Sequence, residues 1–237
     1  MRLSAPIYQL KRRAKLMARD KKIALYEALN RIAREEGFAA WSLLSSQTAL
    51  NSPSKAVLSR LTDGDMLLLG ARPGHGKTLL GLELLLDAAR EGRKAVFFTL
   101  EYTEKETRER IRSLEGDVNG IGDRLEIVTS DEICADYIMR RLSGSPRGTV
   151  AVIDYLQVLD QQRTKPALLD QMFALRDFAR KTGIVLGFIS QIDRSFDPES
   201  KPVPDIRDIR LPNPVDLTFF TKACFLHSGE AQLQDMP

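Results

Sequence analysis

The chain has few cysteines, few histidines, few aromatic residues and no long apolar run. Its 237 residues hold two cysteines, Cys134 and Cys224, far apart in the sequence. That spacing excludes a disulfide framework, a cysteine-rich zinc site and a Cys-x-x-Cys redox pair, and it fits a reducing cytoplasm. A lone cysteine is usually a small core residue, so catalytic use of either is not expected. The two histidines, His75 and His227, are just as isolated, and His227-Ser-Gly-Glu230 has no metal-ligand spacing. No stretch approaches the ~20 apolar residues of a membrane span. The N-terminus lacks the apolar core of a secretory signal. The expectation is a cytoplasmic protein with no membrane association. Repeats and low-complexity tracts are missing too.

What is present is ordinary in amount and uneven in place. Hydrophobic residues make up 43% and charged residues 28%, as in a globular protein with room for one good-sized α/β domain and a small appendage. The formal charge is +3, but residues 1–45 hold ten Lys/Arg against four acids. A basic arm therefore precedes a slightly acidic body. Such an arm suits a polyanion, and a solvated helix face explains it equally well.

Helical periodicity appears over 6–20 and 23–36. Gly37 stops the second helix, and 38–44 looks like a third short helix whose Phe38 and Trp41 would close a small core. Residues 1–45 are thus a basic helical segment. The Ser-, Asn- and Pro-rich stretch 46–55 reads as a linker, and residues 56–237 form the main domain. There, strands predicted at 65–70, 94–100, 125–129, 149–154 and 184–190 alternate with helices at 77–91, 103–114, 131–143 and 168–182. One further strand is expected at 222–228. The fold class is α/β, a parallel sheet with helices on both faces. Five prolines within 194–216 predict a mobile surface loop there.

The strongest signal is Ala71-Arg72-Pro73-Gly74-His75-Gly76-Lys77-Thr78, between an apolar strand and an apolar helix. This is the pattern of a phosphate-binding loop, except that Ala71 stands where the strict pattern has Gly. Backbone N–H groups and the positive helix end favour a polyphosphate. Lys77 would reach the β- and γ-phosphates of ATP, and the Thr78 hydroxyl would ligate Mg²⁺. Asp154 ends an apolar strand where an outer Mg²⁺ ligand belongs. Glu101 ends another strand and could deprotonate an attacking water. Gln191 ends a third and could sense the γ-phosphate and pass its loss to the Pro-rich loop.

Taken together, these segments resemble the motor domain of DnaB-type replicative helicases, which are RecA-like P-loop ATPases. The matching pieces are the loop Gly70–Thr78, the stretch Thr99-Leu-Glu-Tyr-Thr-Glu-Lys-Glu-Thr-Arg-Glu-Arg110, Val152-Ile-Asp-Tyr-Leu-Gln157, Ser190-Gln-Ile-Asp-Arg194 and Pro204-Asp-Ile-Arg-Asp208. The resemblance implies a RecA-like fold, ATP and Mg²⁺ as cofactors, and Glu101 as catalytic base. It also implies Gln191 as γ-phosphate sensor and Arg110 as a nucleotide contact. A homo-oligomer follows, with a hexameric ring among its forms, acting on single-stranded DNA. The channel-facing loop would bring Arg194, Lys201, Arg207 and Arg210 to the strand. The family's N-terminal domain has no counterpart, and its finger-bearing C-terminal strands should follow residue 228. An ATPase without an arginine finger loses a factor on the order of 10³ in rate. Three functions stay open: a DNA-dependent ATPase, a slow nucleotide-gated binding or assembly module, and a small-molecule kinase. The basic arm could serve nucleic acid or a protein partner.

Overall fold

The computed structural model describes residues 3–5, 7–50, 52–72, 74–114, 121–156, 159, 166–193, 195–197, 201, 204–210, 216–227 and 230–236. The chain divides into two compact units, Met1–Ala56 and Val57–Pro237.

In the first unit, α1 (Ile7–Asp20) and α2 (Leu25–Glu35) bury Leu10 and Ala14 against Ala28 and Ile32. These positions recur at three and four residues, one stripe per helix. Trp41 packs at the edge of this cluster, while half-buried Phe38 does not belong to it. Trp41 opens α3 (Trp41–Leu50), and its backbone N–H donates to Asn30 Oδ1 at 2.9 Å. That bond satisfies a donor the helix itself leaves free. Helix α3 and the following α4 (Pro53–Leu58) cover most of the stretch that sequence composition assigned to a linker. The reason is local. Pro53 follows Ser52, and proline is favoured at the first helical position, where its missing N–H costs nothing.

The second unit is a sheet of eight strands in the order β3-β2-β4-β5-β1-β7-β8, with β6 pairing β5 off this path. These are β1 (Met66–Ala71), β2 (Ala95–Thr99), β3 (Leu125–Val128), β4 (Val150–Asp154), β5 (Val185–Ile192), β6 (Ile209–Arg210), β7 (Lys222–His227) and β8 (Glu230–Asp235). All pairings are parallel except β8 on β7 and β6 on β5. Side chains alternate between the faces, as a period of two requires. Leu67, Leu69, Val152 and Ile189 meet α5 (Lys77–Arg90) and α6 (Glu104–Leu114). Met66, Leu68, Ile153 and Phe188 meet α7 (Ala135–Leu142) and α8 (Leu168–Thr182). The architecture is mixed α/β with a mostly parallel sheet between helical layers. No helix among the described residues is long and apolar enough to cross a membrane.

The Pro-rich stretch is more than a surface loop. Phe196 is buried in the α8-side core, and Ile209 and Arg210 pair with Ile192 and Gln191. Strand β5 runs past the end of β4, and the short β6 takes up its open edge there.

Gly70 sits in the central strand directly under the Phe225 ring. A Cβ placed there would lie 2.8 Å from Phe225 Cδ1. Gly70→Ala is therefore expected to destabilise the protein by about 1–3 kcal/mol through overpacking. This opposes the usual effect of replacing a strand glycine. The urea midpoint would check it, and an unchanged or higher midpoint would show that the ring yields freely.

Candidate functional site

The phosphate-loop residues join the carboxyl end of β1 to the amino end of α5. Ala71 is fully buried as the last residue of β1, paired with Gln191 on one side and Leu226 on the other. It is not among the residues with positive φ. That is why alanine serves where the strict pattern has glycine. Gly76, by contrast, has φ +87° as the residue capping α5, a conformation side chains disfavour. The His75 N–H donates to the Arg72 carbonyl at 3.1 Å, and Leu80 N–H to the Gly76 carbonyl at 2.9 Å. Arg72, Gly74, His75, Gly76, Lys77 and Thr78 thus lie in one turn at the positive end of a 14-residue helix. Pro73 lies outside the described residues.

Three of the expected groups converge on this turn. The Thr78 hydroxyl donates to Asp154 Oδ2 at 2.9 Å, and both side chains are buried. Asp154 Oδ1 is also buried and has no hydrogen-bond partner among the described residues. A carboxylate oxygen orphaned in this way costs free energy. Burial pushes the Asp154 carboxyl up to about 6, and the Glu101 charge adds to the rise. Thr78, Lys77 and Arg110 oppose it. The hydroxyl that donates its hydrogen to Asp154 keeps lone pairs for a cation. These two residues therefore fit a hard, oxygen-seeking ion such as Mg²⁺. Glu101 is exposed just beyond β2, its N–H bonded to Thr99 Oγ1 at 3.1 Å. Thr99 pairs with Asp154 across the sheet.

Arg110 reaches back from α6 and stacks on Tyr102, its guanidinium carbon 4.0 Å from the ring centre. Burial raises the Tyr102 hydroxyl, with Arg110 acting against the rise. Sequence reasoning did not find this platform, although Tyr102 adjoins Glu101. Gln191 is half-buried beside Ala71 in the sheet register.

The loop cations are less free than their charges suggest. Lys201 is bound by Asp205 at 2.5 Å and Asp208 at 2.9 Å. Asp205 also holds Arg207 at 2.7 Å. The bond from Arg207, and then that from Lys201, keeps the Asp205 carboxyl well below the usual range. The four-residue spacing of Lys201 and Asp205 was the signal for this clamp. Arg210 is exposed on β6, and Arg194 lies outside the described residues.

A protein-family profile described as "ATPase: KaiC" matches residues 55–204, which include the whole loop, Glu101, Asp154 and Gln191. The chain belongs to the KaiC ATPase family. Within it, this KaiC-type P-loop ATPase is related to DnaB-type helicases. It is 27% identical over 190 residues to a "Probable plasmid replicative DNA helicase" of Chlamydia muridarum, covering 66% of this chain and 41% of that protein. It is 24% identical over 196 residues to "Replicative DNA helicase DnaB" of Mycoplasma pneumoniae, covering 67% and 41%. The chain thus spans about two-fifths of these relatives' length. Among solved structures it is similar to an isolated ATPase domain, with TM-score 0.55, 20% identity, and 78% and 82% of the chains covered. It is also similar to a DnaB-like replicative helicase whose interactions with primase were described, with TM-score 0.59, 19% identity, and 93% and 66% covered. These two likenesses establish the RecA-like ATPase fold.

The buried Asp154 charge has a stability consequence. Its folded pKa lies above the ordinary 3.8, so folding disfavours the charged form. The cost is fully present above the folded value and is relieved as pH falls from about 7 toward 4. Asp154→Asn should raise the stability of the nucleotide-free protein by about 1–3 kcal/mol at pH 7. The advantage over wild type should shrink toward pH 4. Urea unfolding of both proteins across that range checks the sign. A variant less stable than wild type at pH 7 would contradict it.

Proposed function

We propose that the protein binds and hydrolyses Mg²⁺-ATP at the turn formed by residues 71–78, and that it works as a homo-oligomer on single-stranded DNA. One observation carries the nucleotide half: the buried Thr78–Asp154 pair, with an orphaned carboxylate oxygen, at the amino end of α5 and within reach of the Glu101 charge. The loop N–H groups and Lys77 bind the phosphates. Thr78 and Asp154 hold Mg²⁺, which supplies charge neutralisation at the phosphate oxygens. Glu101, exposed and adjacent, orients a water and takes its proton. Arg110, held on Tyr102, adds positive charge to the same crevice. Gln191 neighbours Ala71 on one side and Arg210 of β6 on the other. The state of the γ-phosphate is passed to the loop along that pairing. The DNA half is supported by the helicase names of the relatives and by exposed Arg207 and Arg210 at the same end of the sheet.

A second reading, a slow nucleotide-gated binding or assembly module, is favoured by the Asp205–Asp208 clamp. It neutralises Lys201 and engages Arg207, two of the cations a DNA strand would use. Steady-state ATP turnover with and without single-stranded DNA separates the two. Strong stimulation supports the first reading, and tight ATP binding with negligible turnover supports the second.

Two substitutions test the assignments. Lys77→Ala is expected to weaken ATP binding at least tenfold, since it removes the compact charge at the phosphates; unchanged affinity in a calorimetric titration would refute the site. Glu101→Gln should keep ATP affinity within about threefold while turnover drops by a factor of about 10²–10⁴. Wild-type turnover in that variant would reduce Glu101 to a structural acid.

A further inference from the structure

Helix α1 carries five cations, Lys11, Arg12, Arg13, Lys15 and Arg19, against one acid, Asp20, and has no acid in its first turn. Other helices of this chain arrange charge differently. Arg90 pairs with Asp87 within α5, and Arg108 with Glu104 within α6. In α1, Arg13 turns to Glu35 of α2. Lys11, Lys15 and Arg19 instead recur every four residues and form one ridge, with Arg12 beside it. Arg12, Lys15 and Arg19 are exposed. Like charges at that spacing destabilise a helix. The Lys11 ammonium is accordingly held below its ordinary value, first by burial and then by Lys15.

A ridge that opposes its own helix is relieved by an external polyanion. We propose that the Lys11–Lys15–Arg19 ridge, with Arg12, binds the phosphate backbone of a nucleic acid strand. It runs about 12 Å along the helix axis, enough for about three phosphates at B-DNA spacing. An anionic lipid surface suits it less. An interfacial helix must bury its apolar face in lipid, and the apolar face of α1 is used against Ala28 and Ile32. The inference rests on the nucleic-acid half of the proposed function and is independent of the nucleotide site.

The test uses the full chain without nucleotide. Fluorescence anisotropy with a labelled single-stranded oligothymidylate, and separately with a duplex, is measured over a range of salt concentrations. Lys15→Glu places a carboxylate four residues from both Lys11 and Arg19, so it removes self-repulsion while reversing charge on the ridge. The thermal midpoint should hold or rise while oligonucleotide affinity falls at least fivefold. The slope of log K against log salt should fall by about 0.7 per lost contact for a single strand, or about 0.9 for a duplex. The tighter-bound oligonucleotide identifies the strand type. Lys15→Gln adds no charge and decides the case should Lys15→Glu fold poorly: it should weaken binding in the same direction, to a smaller extent. Arg13→Ala, on the Glu35 side, should leave affinity within twofold. Unchanged affinity and slope in both Lys15 variants would overturn the ridge and leave the proposed function standing. Equal weakening by Arg13→Ala would also overturn it, since net charge would then suffice. A wild type that binds neither oligonucleotide would overturn both.

Discussion

The Thr78–Asp154 hydrogen bond is the contact on which the rest of the second unit depends. It joins the first turn of α5 to the end of β4, although β5 lies between β4 and the loop-bearing β1. Burying a carboxylate there is unfavourable, and Asp154 has one satisfied oxygen and one orphan among the described residues. A fold does not keep such a group for stability. It keeps it because the missing partner arrives with a ligand. The raised Asp154 carboxyl is therefore the mark of a site poised for positive charge.

That site needs α5 to lie close against the sheet. Gly81 permits it: a Cβ there would stand 3.0 Å from Ile189 Cδ1 and 3.2 Å from Val152 Cγ1. The parallel register then sets the order of groups along the sheet's carboxyl end. Thr99 stands level with Asp154, and Ala71 with Gln191. Phosphate loop, metal carboxylate and sensing amide are thus fixed by backbone pairing. Glu101 and Arg110 lie beyond that scaffold, and their placement depends on local contacts such as the Tyr102 stack.

The strands and helices around the loop were legible in the sequence because each is a long apolar run with clear punctuation. Gly70–Thr78 and the strand ending at Asp154 carry chemistry at fixed spacing, so their roles could be read as well. Other features were not legible. Residues 46–55 look like a linker by composition, yet Ser52-Pro53 starts a helix. The stretch after β5 looks like a proline loop, but Phe196 is held in the core and Ile209–Arg210 join the sheet through tertiary contacts. The clamp on Lys201 depends on a turn whose Asp205 and Asp208 cap one another's backbone, and charge counting alone cannot see it. Strand β8 follows β7 too closely for periodicity to separate the two.

The central claim is that Thr78 and Asp154 form a metal-dependent phosphate site. Calorimetric titration of the wild-type protein with ATP, once with Mg²⁺ and once with EDTA, tests it most directly. The account predicts saturable binding of one ATP per chain with Mg²⁺ and affinity at least tenfold weaker with EDTA. Equal affinity under both conditions, or no ATP binding in either, would contradict it.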